Sequence, residues 1–215
     1  MTSDTNQTMF ETRFEQSPIP IYTIGYGERT LAALLAVLQR YQIEYLVDVR
    51  TAPYSRYKPE FSKAELTAAL RQHGFKYLFM GDQVGGRPEN PACYTDGKVD
   101  YDKVQATAAY KQGIERLRSA FAQQQRIVLL CSEGKPEQCH RSKLIGATLE
   151  KLGIPLVHID ESDEPQTQEA IIARLTAGQL SLFGDHSFQS RKRYPGGKTG
   201  HPSTAAYDSE EEYDE

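Results

Sequence analysis

The sequence predicts an α/β domain with a mainly parallel sheet, and three observations predict it. Apolar stretches rich in β-branched and aromatic residues recur along the chain, at residues 19–26, 45–49, 77–80, 126–130 and 155–159. Segments with apolar residues at helical spacing alternate with them. At 215 residues, 39% hydrophobic and 25% charged, the chain has the size and composition of one soluble domain with residues to spare for tails.

The elements follow in order. The first strand, around Ile21-Tyr22-Thr23-Ile24, runs into a turn at Gly27, and Thr30 introduces a helix carrying Leu31, Leu34, Leu35 and Leu38. Tyr45-Leu46-Val47-Asp48-Val49 is the second strand. The loop 50–61 follows, with Pro53 and Pro59 excluding a continued helix. Ser62 and Glu65 form a capping box for a helix to about His73, which Gly74 closes. After a short third strand, residues 81–100 hold four glycines and two prolines without periodicity and read as a long loop. One helix is expected from Tyr101 through Phe121, a strand over 126–130, a helix from Ser142 to Leu152, a strand over 155–159, and a last helix from Gln168 to Ala177. The expected organisation is a flexible N-terminus at 1–18, the α/β domain at 19–178, a short peptide at 179–183 and a disordered acidic tail at 184–215.

Charge and cysteine usage bound the function. Six acids among the last eight residues account for the net charge; without them −4 becomes +2, so the body tolerates an anionic ligand. Three irregularly spaced cysteines suit a reducing compartment. The polar stretch 1–20 lacks the apolar core of a signal peptide, and no apolar run reaches membrane-spanning length. A cytoplasmic protein without a membrane partner is therefore expected. No glycine-rich phosphate motif is present, which leaves an ATP or dinucleotide enzyme unsupported.

In a parallel sheet every strand-to-helix loop opens on one edge, so distant polar residues converge there. The richest such loop holds Cys131, Glu133, Cys139, His140 and Arg141. Cys131 and Cys139 are candidate nucleophiles, favoured if the start of the following helix lowers a thiol pKa. His140 would assist, and Glu133 is a candidate base or a partner for Arg50, Arg56 or Arg141. Arg141, opening a helix, is expected to contact an anion. Asp48, Arg50, Tyr54, Ser55 and Arg56 should line the opposite wall, where cations alternate with the rings of Tyr54, Tyr57 and Phe61 as in nucleotide or single-stranded nucleic acid sites. His158 and Asp160 end the last strand at the same edge. No metal and no cofactor are expected, because Cys131 and Cys139 are eight apart and no fourth ligand is evident.

Thr23-Ile24-Gly25-Tyr26, Asp48-Val49-Arg50, Pro53-Tyr54-Ser55, Phe61, Gly85-Gly86-Arg87, Cys131-Ser132-Glu133 and Cys139-His140-Arg141 together resemble the domain of unknown function 488 family, DUF488. The resemblance covers about residues 21–160 and implies an α/β domain with no assigned activity. Leu46 to Arg50, and a strand ending in Cys131 before Arg141-Ser142, look more weakly like a rhodanese domain, implying sulfur transfer; the 131–141 loop is longer than the compact rhodanese loop. Gln179-Leu180-Ser181-Leu182-Phe183 looks like the pentapeptide by which bacterial proteins dock on the DNA polymerase sliding clamp. There Leu182 and Phe183 would fill an apolar pocket, with Gln179 and Leu180 beside them.

The reading that follows is an enzyme-like protein acting on nucleic acid or a nucleotide, recruited to DNA repair or replication. A cysteine-dependent sulfur-transfer enzyme and a non-catalytic clamp-recruited adaptor are the alternatives.

Overall fold

The structure, a computed structural model, describes residues 18–176 and 189–194. The peptide expected at 179–183 lies outside these residues. Strands β1 (Ile21–Gly25), β2 (Tyr45–Asp48), β3 (Lys76–Phe79), β6 (Ile127–Cys131), β7 (Leu156–Ile159) and β8 (Pro165–Thr167) form one sheet in the order β3-β2-β6-β1-β7-β8. All its pairings are parallel except β7 with β8. The expected fold class is thus the observed one.

Helices cover both faces, so the central strands are apolar throughout instead of alternating. Val128 and Leu130 of β6 pack with Leu34 and Leu38 of α1 (Leu31–Arg40) and Leu66 and Leu70 of α2 (Lys63–Gln72). Ile127, Leu129 and Cys131 face the other way, toward Tyr110, Ile114 and Leu117 of α5 (Ala108–Ala122) and Leu144, Ile145 and Leu149 after Arg141. Each fully buried side chain of this size contributes roughly 1.5–3 kcal/mol. β6 therefore delivers the loop that follows it from a rigid point.

β1 and β6 lie side by side, yet their connections diverge. β1 leads through α1 on one face to β2, whereas β6 leads through α6 (Ala147–Lys151) on the other face to β7. That divergence opens a crevice beyond the strands' C-terminal ends, the usual ligand position in open α/β sheets. Gly25 and Cys131, paired in register, mark its floor.

The structure corrects several expectations. Residues 81–100 are not one loop: α3 (Gly81–Val84) is followed by a hairpin of β4 (Tyr94–Thr95) and β5 (Lys98–Asp100). The signal is present in Asp96-Gly97, both at positive φ, the residue pair that a two-residue hairpin turn demands. The helix expected over 101–121 is two, α4 (Tyr101–Ala106) and α5 (Ala108–Ala122), because Thr107 leaves the helix and caps α5 by accepting the Tyr110 amide. Ser62 precedes α2 without capping it; its hydroxyl instead accepts from the Ser55 amide at 3.1 Å. The helix after His140 starts as a π-helical turn, Arg141–Gly146, before α6. Pro165 begins β8 and not α7, which runs Gln168–Leu175. Within the tail expected to be disordered, β9 (Gln189–Arg193) pairs antiparallel with β5, and the Ser190 hydroxyl accepts the Val99 amide at 2.8 Å.

Candidate functional site

The end of β6 is fixed to the end of β1 by backbone. The Tyr26 amide donates to the Cys131 carbonyl at 3.0 Å and the Gly27 amide to that of Ser132 at 2.9 Å. Gly25 has no side chain to spare room for: a Cβ there would lie 1.7 Å from the Glu133 carbonyl oxygen. The loop then turns Glu133 Oε2 inward, while the residue as a whole stays exposed.

Four side chains meet at this point. Cys131 Sγ lies 2.7 Å from Glu133 Oε2 and 3.7 Å from His140 Nδ1. Cys139 Sγ lies 3.4 Å from the same carboxylate oxygen and 3.6 Å from the same imidazole nitrogen. All four polar atoms fall within 4.8 Å of one another. Both sulfurs are buried. On the far side of the ring, His140 Nε2 is 3.1 Å from the Val49 carbonyl at the end of β2. A carbonyl only accepts, so Nε2 carries a proton and Nδ1 is the ring nitrogen that faces the two sulfurs.

Electrostatics follow from this crowding. Burial, Cys139 and Glu133 push the Cys131 thiol well above its usual range, and His140 only partly offsets them. Burial also opposes ionisation of Glu133, but the His140 charge and the thiol hydrogen bonds outweigh it and hold the carboxyl at about 2. His140 is drawn down by burial and raised further by Cys131 and Glu133. The expected lowering of a thiol pKa at a helix start is therefore reversed for Cys131. Its sulfur lies at the sheet end, inside the apolar layer, facing an anion.

The other expected site residues divide. Asp48 is fully buried and accepts from Arg50 Nε at 2.9 Å, Arg50 Nη2 at 2.6 Å and the Tyr77 hydroxyl at 2.8 Å. Asp48 and Arg50 thus pair with each other inside the fold. Ser55 folds its own loop through Ser62 and Lys58. Phe61 is core, stacked on Tyr26 at 4.3 Å. Tyr54 and Arg56 are exposed on that loop, as is Tyr57. Arg141 is 0% exposed, its Nη2 donating to the Gly134 carbonyl at 2.5 Å, and Nε and Nη1 have no partner among the described residues. It braces the loop from behind and does not reach the surface. Glu133 contacts the two thiols and Ser132 instead of the arginines considered for it.

His158 is withdrawn from the edge as well. Its ring is held by Thr23 Oγ1 and Gln168 Oε1, both at 2.7 Å, and Gln168 Nε2 donates to the Ser142 carbonyl. Burial pulls the imidazole down to about 4, against the Gln168 hydrogen bond and with the Arg141 charge adding to it. Asp160 orders the turn into β8, accepting from Ser162, Glu164 and Gln166.

One neighbour was not foreseen. Tyr101, at the start of α4, is buried beside the cluster; its phenol is raised by burial first and then by Cys139, Glu133 and Cys131 among its neighbours. Nothing in its sequence context marks it, because it arrives from a helix start outside the strand-end loops. The separation of Cys131 from Cys139 was the ground for expecting no metal, and the fold removes that ground. Glu133 and His140 close the gap and complete a four-donor set.

No helix among the described residues is long and apolar enough to cross a membrane. No curated protein and no solved structure matches the chain. A family model described as "Domain of unknown function DUF488" matches residues 30–148, more than half of the chain and every strand-end loop from Asp48 to Arg141; the chain belongs to the DUF488 family.

Proposed function

We propose that this protein is an enzyme acting on a nucleotide or single-stranded nucleic acid at the C-terminal edge of its sheet. The single observation that carries the reading is the chemistry gathered at that edge. The cluster of Cys131, Glu133, Cys139 and His140 lies where β6 ends, and the neighbouring 50–61 loop presents Tyr54 and Tyr57, 54% and 78% exposed, with Arg56 between them. Two solvated rings flanking a cation suit stacked bases and the phosphate that joins them. In this reading Glu133, ionised and open on one side, is the base. Cys131, buried with its thiol pushed up, is a poor resting nucleophile, which disfavours the sulfur-transfer alternative.

The test is fluorescence anisotropy with a labelled mixed-sequence oligonucleotide at low salt. The wild-type protein is expected to bind, and Tyr54→Ala with Tyr57→Ala to weaken binding by tenfold or more, since stacking is worth about 1–3 kcal/mol per base. Both rings are exposed, so the melting temperature should not move. Absence of binding up to about 100 µM protein, the weak end of non-specific binding, would remove the reading. So would an unchanged affinity in the variant.

Recruitment to a sliding clamp belongs to the same proposal. Its basis is the sequence of Gln179, Leu180, Leu182 and Phe183. The full chain should be retained by immobilised bacterial clamp, and Leu182→Ala with Phe183→Ala should abolish retention. Equal retention of that variant would remove the recruitment and with it the adaptor alternative.

A further inference from the structure

We propose that Cys131, Cys139 and His140 hold a single zinc ion, with Glu133 at its fourth corner. This goes beyond the ligand reading above and stands without it. Zinc–sulfur bonds of about 2.3 Å and zinc–nitrogen bonds of about 2.0–2.1 Å in a tetrahedron require sulfur-to-nitrogen edges of about 3.5 Å. The two observed edges, from each sulfur to His140 Nδ1, are 3.7 and 3.6 Å. The edge from Cys139 to Glu133 Oε2 is 3.4 Å, again what a tetrahedron asks. Three edges thus already have tetrahedral lengths, and all four donor atoms lie within 4.8 Å of one another.

The surroundings are those of a ligand set. His140 donates Nε2–H to the Val49 carbonyl, which fixes the ring and leaves Nδ1 as the donor; metal-bound histidines are characteristically held this way. The Arg141 amide points at Cys139 Sγ at 3.4 Å and so helps fix where that sulfur sits. Two thiolates and a carboxylate bring three negative charges. A divalent ion cancels two of them and leaves the site with one net negative charge instead of three. The donor set of two sulfurs, one imidazole and one carboxylate in four-coordinate geometry selects zinc over the oxygen-seeking magnesium and calcium ions.

The corners are not equivalent. The two sulfurs and the imidazole are buried, whereas Glu133 is the exposed member. Its 2.7 Å contact with Cys131 is also shorter than a tetrahedral edge by about 0.8 Å, so this corner has to open when the ion enters. The structure therefore assigns Glu133 to the exchangeable position, the one that catalytic zinc sites leave to water or substrate and structural sites close.

The experiment is metal analysis of the full chain with cobalt as spectroscopic probe. Protein expressed in zinc-supplemented medium should carry about one zinc per chain. After chelation and loading with cobalt, the folded protein should show thiolate-to-cobalt charge transfer and the intense visible bands of a tetrahedral ion. Cys139→Ser should reduce the charge transfer by about half, and Cys131→Ser with Cys139→Ser should remove it and the bound zinc together. Should the cysteine variants fail to fold, the wild-type spectrum decides alone, because Cys93 lies outside the four-donor set. A folded wild type that takes up neither zinc nor cobalt overturns the proposal, as does a double variant that still binds one ion, or uptake of copper(I) to the exclusion of zinc. None of these outcomes depends on whether an oligonucleotide binds.

Discussion

Asp48→Ala is expected to lower the stability of this protein by about 3–5 kcal/mol, the usual cost of leaving a buried ion partnerless. Asp48 is fully buried, and its two oxygens accept from the Arg50 amide, Arg50 Nε, Arg50 Nη2 and the Tyr77 hydroxyl. Without it the guanidinium keeps the Phe61 carbonyl, 2.9 Å from Nη2, and the face of Tyr26. Its Nη1 already has no partner among the described residues. Removing one ion of a buried pair is far costlier than removing both, so Asp48→Ala combined with Arg50→Met should recover most of the loss. Urea denaturation of the two variants beside wild type checks this. A single variant within about 1 kcal/mol of wild type would mean that the pair contributes little. The expected loss also reaches the cluster, because the residue between the pair, Val49, presents the carbonyl that orients His140.

That pair shows where sequence reasoning finds the right residues without the structural role they play. Asp48 and Arg50 were legible as polar groups at a strand end, and strand ends do converge here. What the sequence could not convey is that the two residues, two apart, fold back on each other and bury the charge they share. Arg141 was likewise legible as the opening residue of a helix. The direction of its side chain was not, because a π-helical turn and not a regular one carries it inward. The cysteines followed the opposite course. Their spacing argued against a shared metal ion, but spacing along the chain measures nothing once a loop doubles back, and the 3-10 turn Pro136–Gln138 lets Cys139 return to the level of Cys131. Alternation of strand and helix was enough for the sheet and for its open edge, since both follow from local periodicity. The small sheet of β4, β5 and β9 was missed for a different reason: β9 joins from a segment whose composition reads as tail, through backbone pairing that composition does not encode.

Gly25→Ala is the substitution expected to separate the cluster from the fold that carries it. The new Cβ would lie 1.7 Å from the Glu133 carbonyl oxygen, 2.6 Å from its carbon and 3.0 Å from Arg141 Nη1. Two of these are backbone atoms, so no side chain can simply rotate away. β1 cannot retreat either, because it is paired with β6 on one side and β7 on the other. The loop after Cys131 must move instead, breaking the Gly27-to-Ser132 hydrogen bond and drawing Glu133 away from both thiols. Overpacking of this kind costs about 1–3 kcal/mol, and a clash with fixed backbone places it at the upper end. Gly74→Ala is the matched control. A Cβ there meets nothing within 4 Å, but φ is +82°, so the cost is conformational and about 1–2 kcal/mol. Both variants should therefore melt earlier than wild type. Only Gly25→Ala should expose Cys131 and Cys139, accelerating their alkylation at least about tenfold under native conditions, as local opening of a protected segment does. Peptide mapping of the labelled protein reads the two sites separately from Cys93. Wild-type labelling rates in Gly25→Ala would show that the loop accommodates the methyl group and that Gly25 is not what holds Glu133 over the thiols.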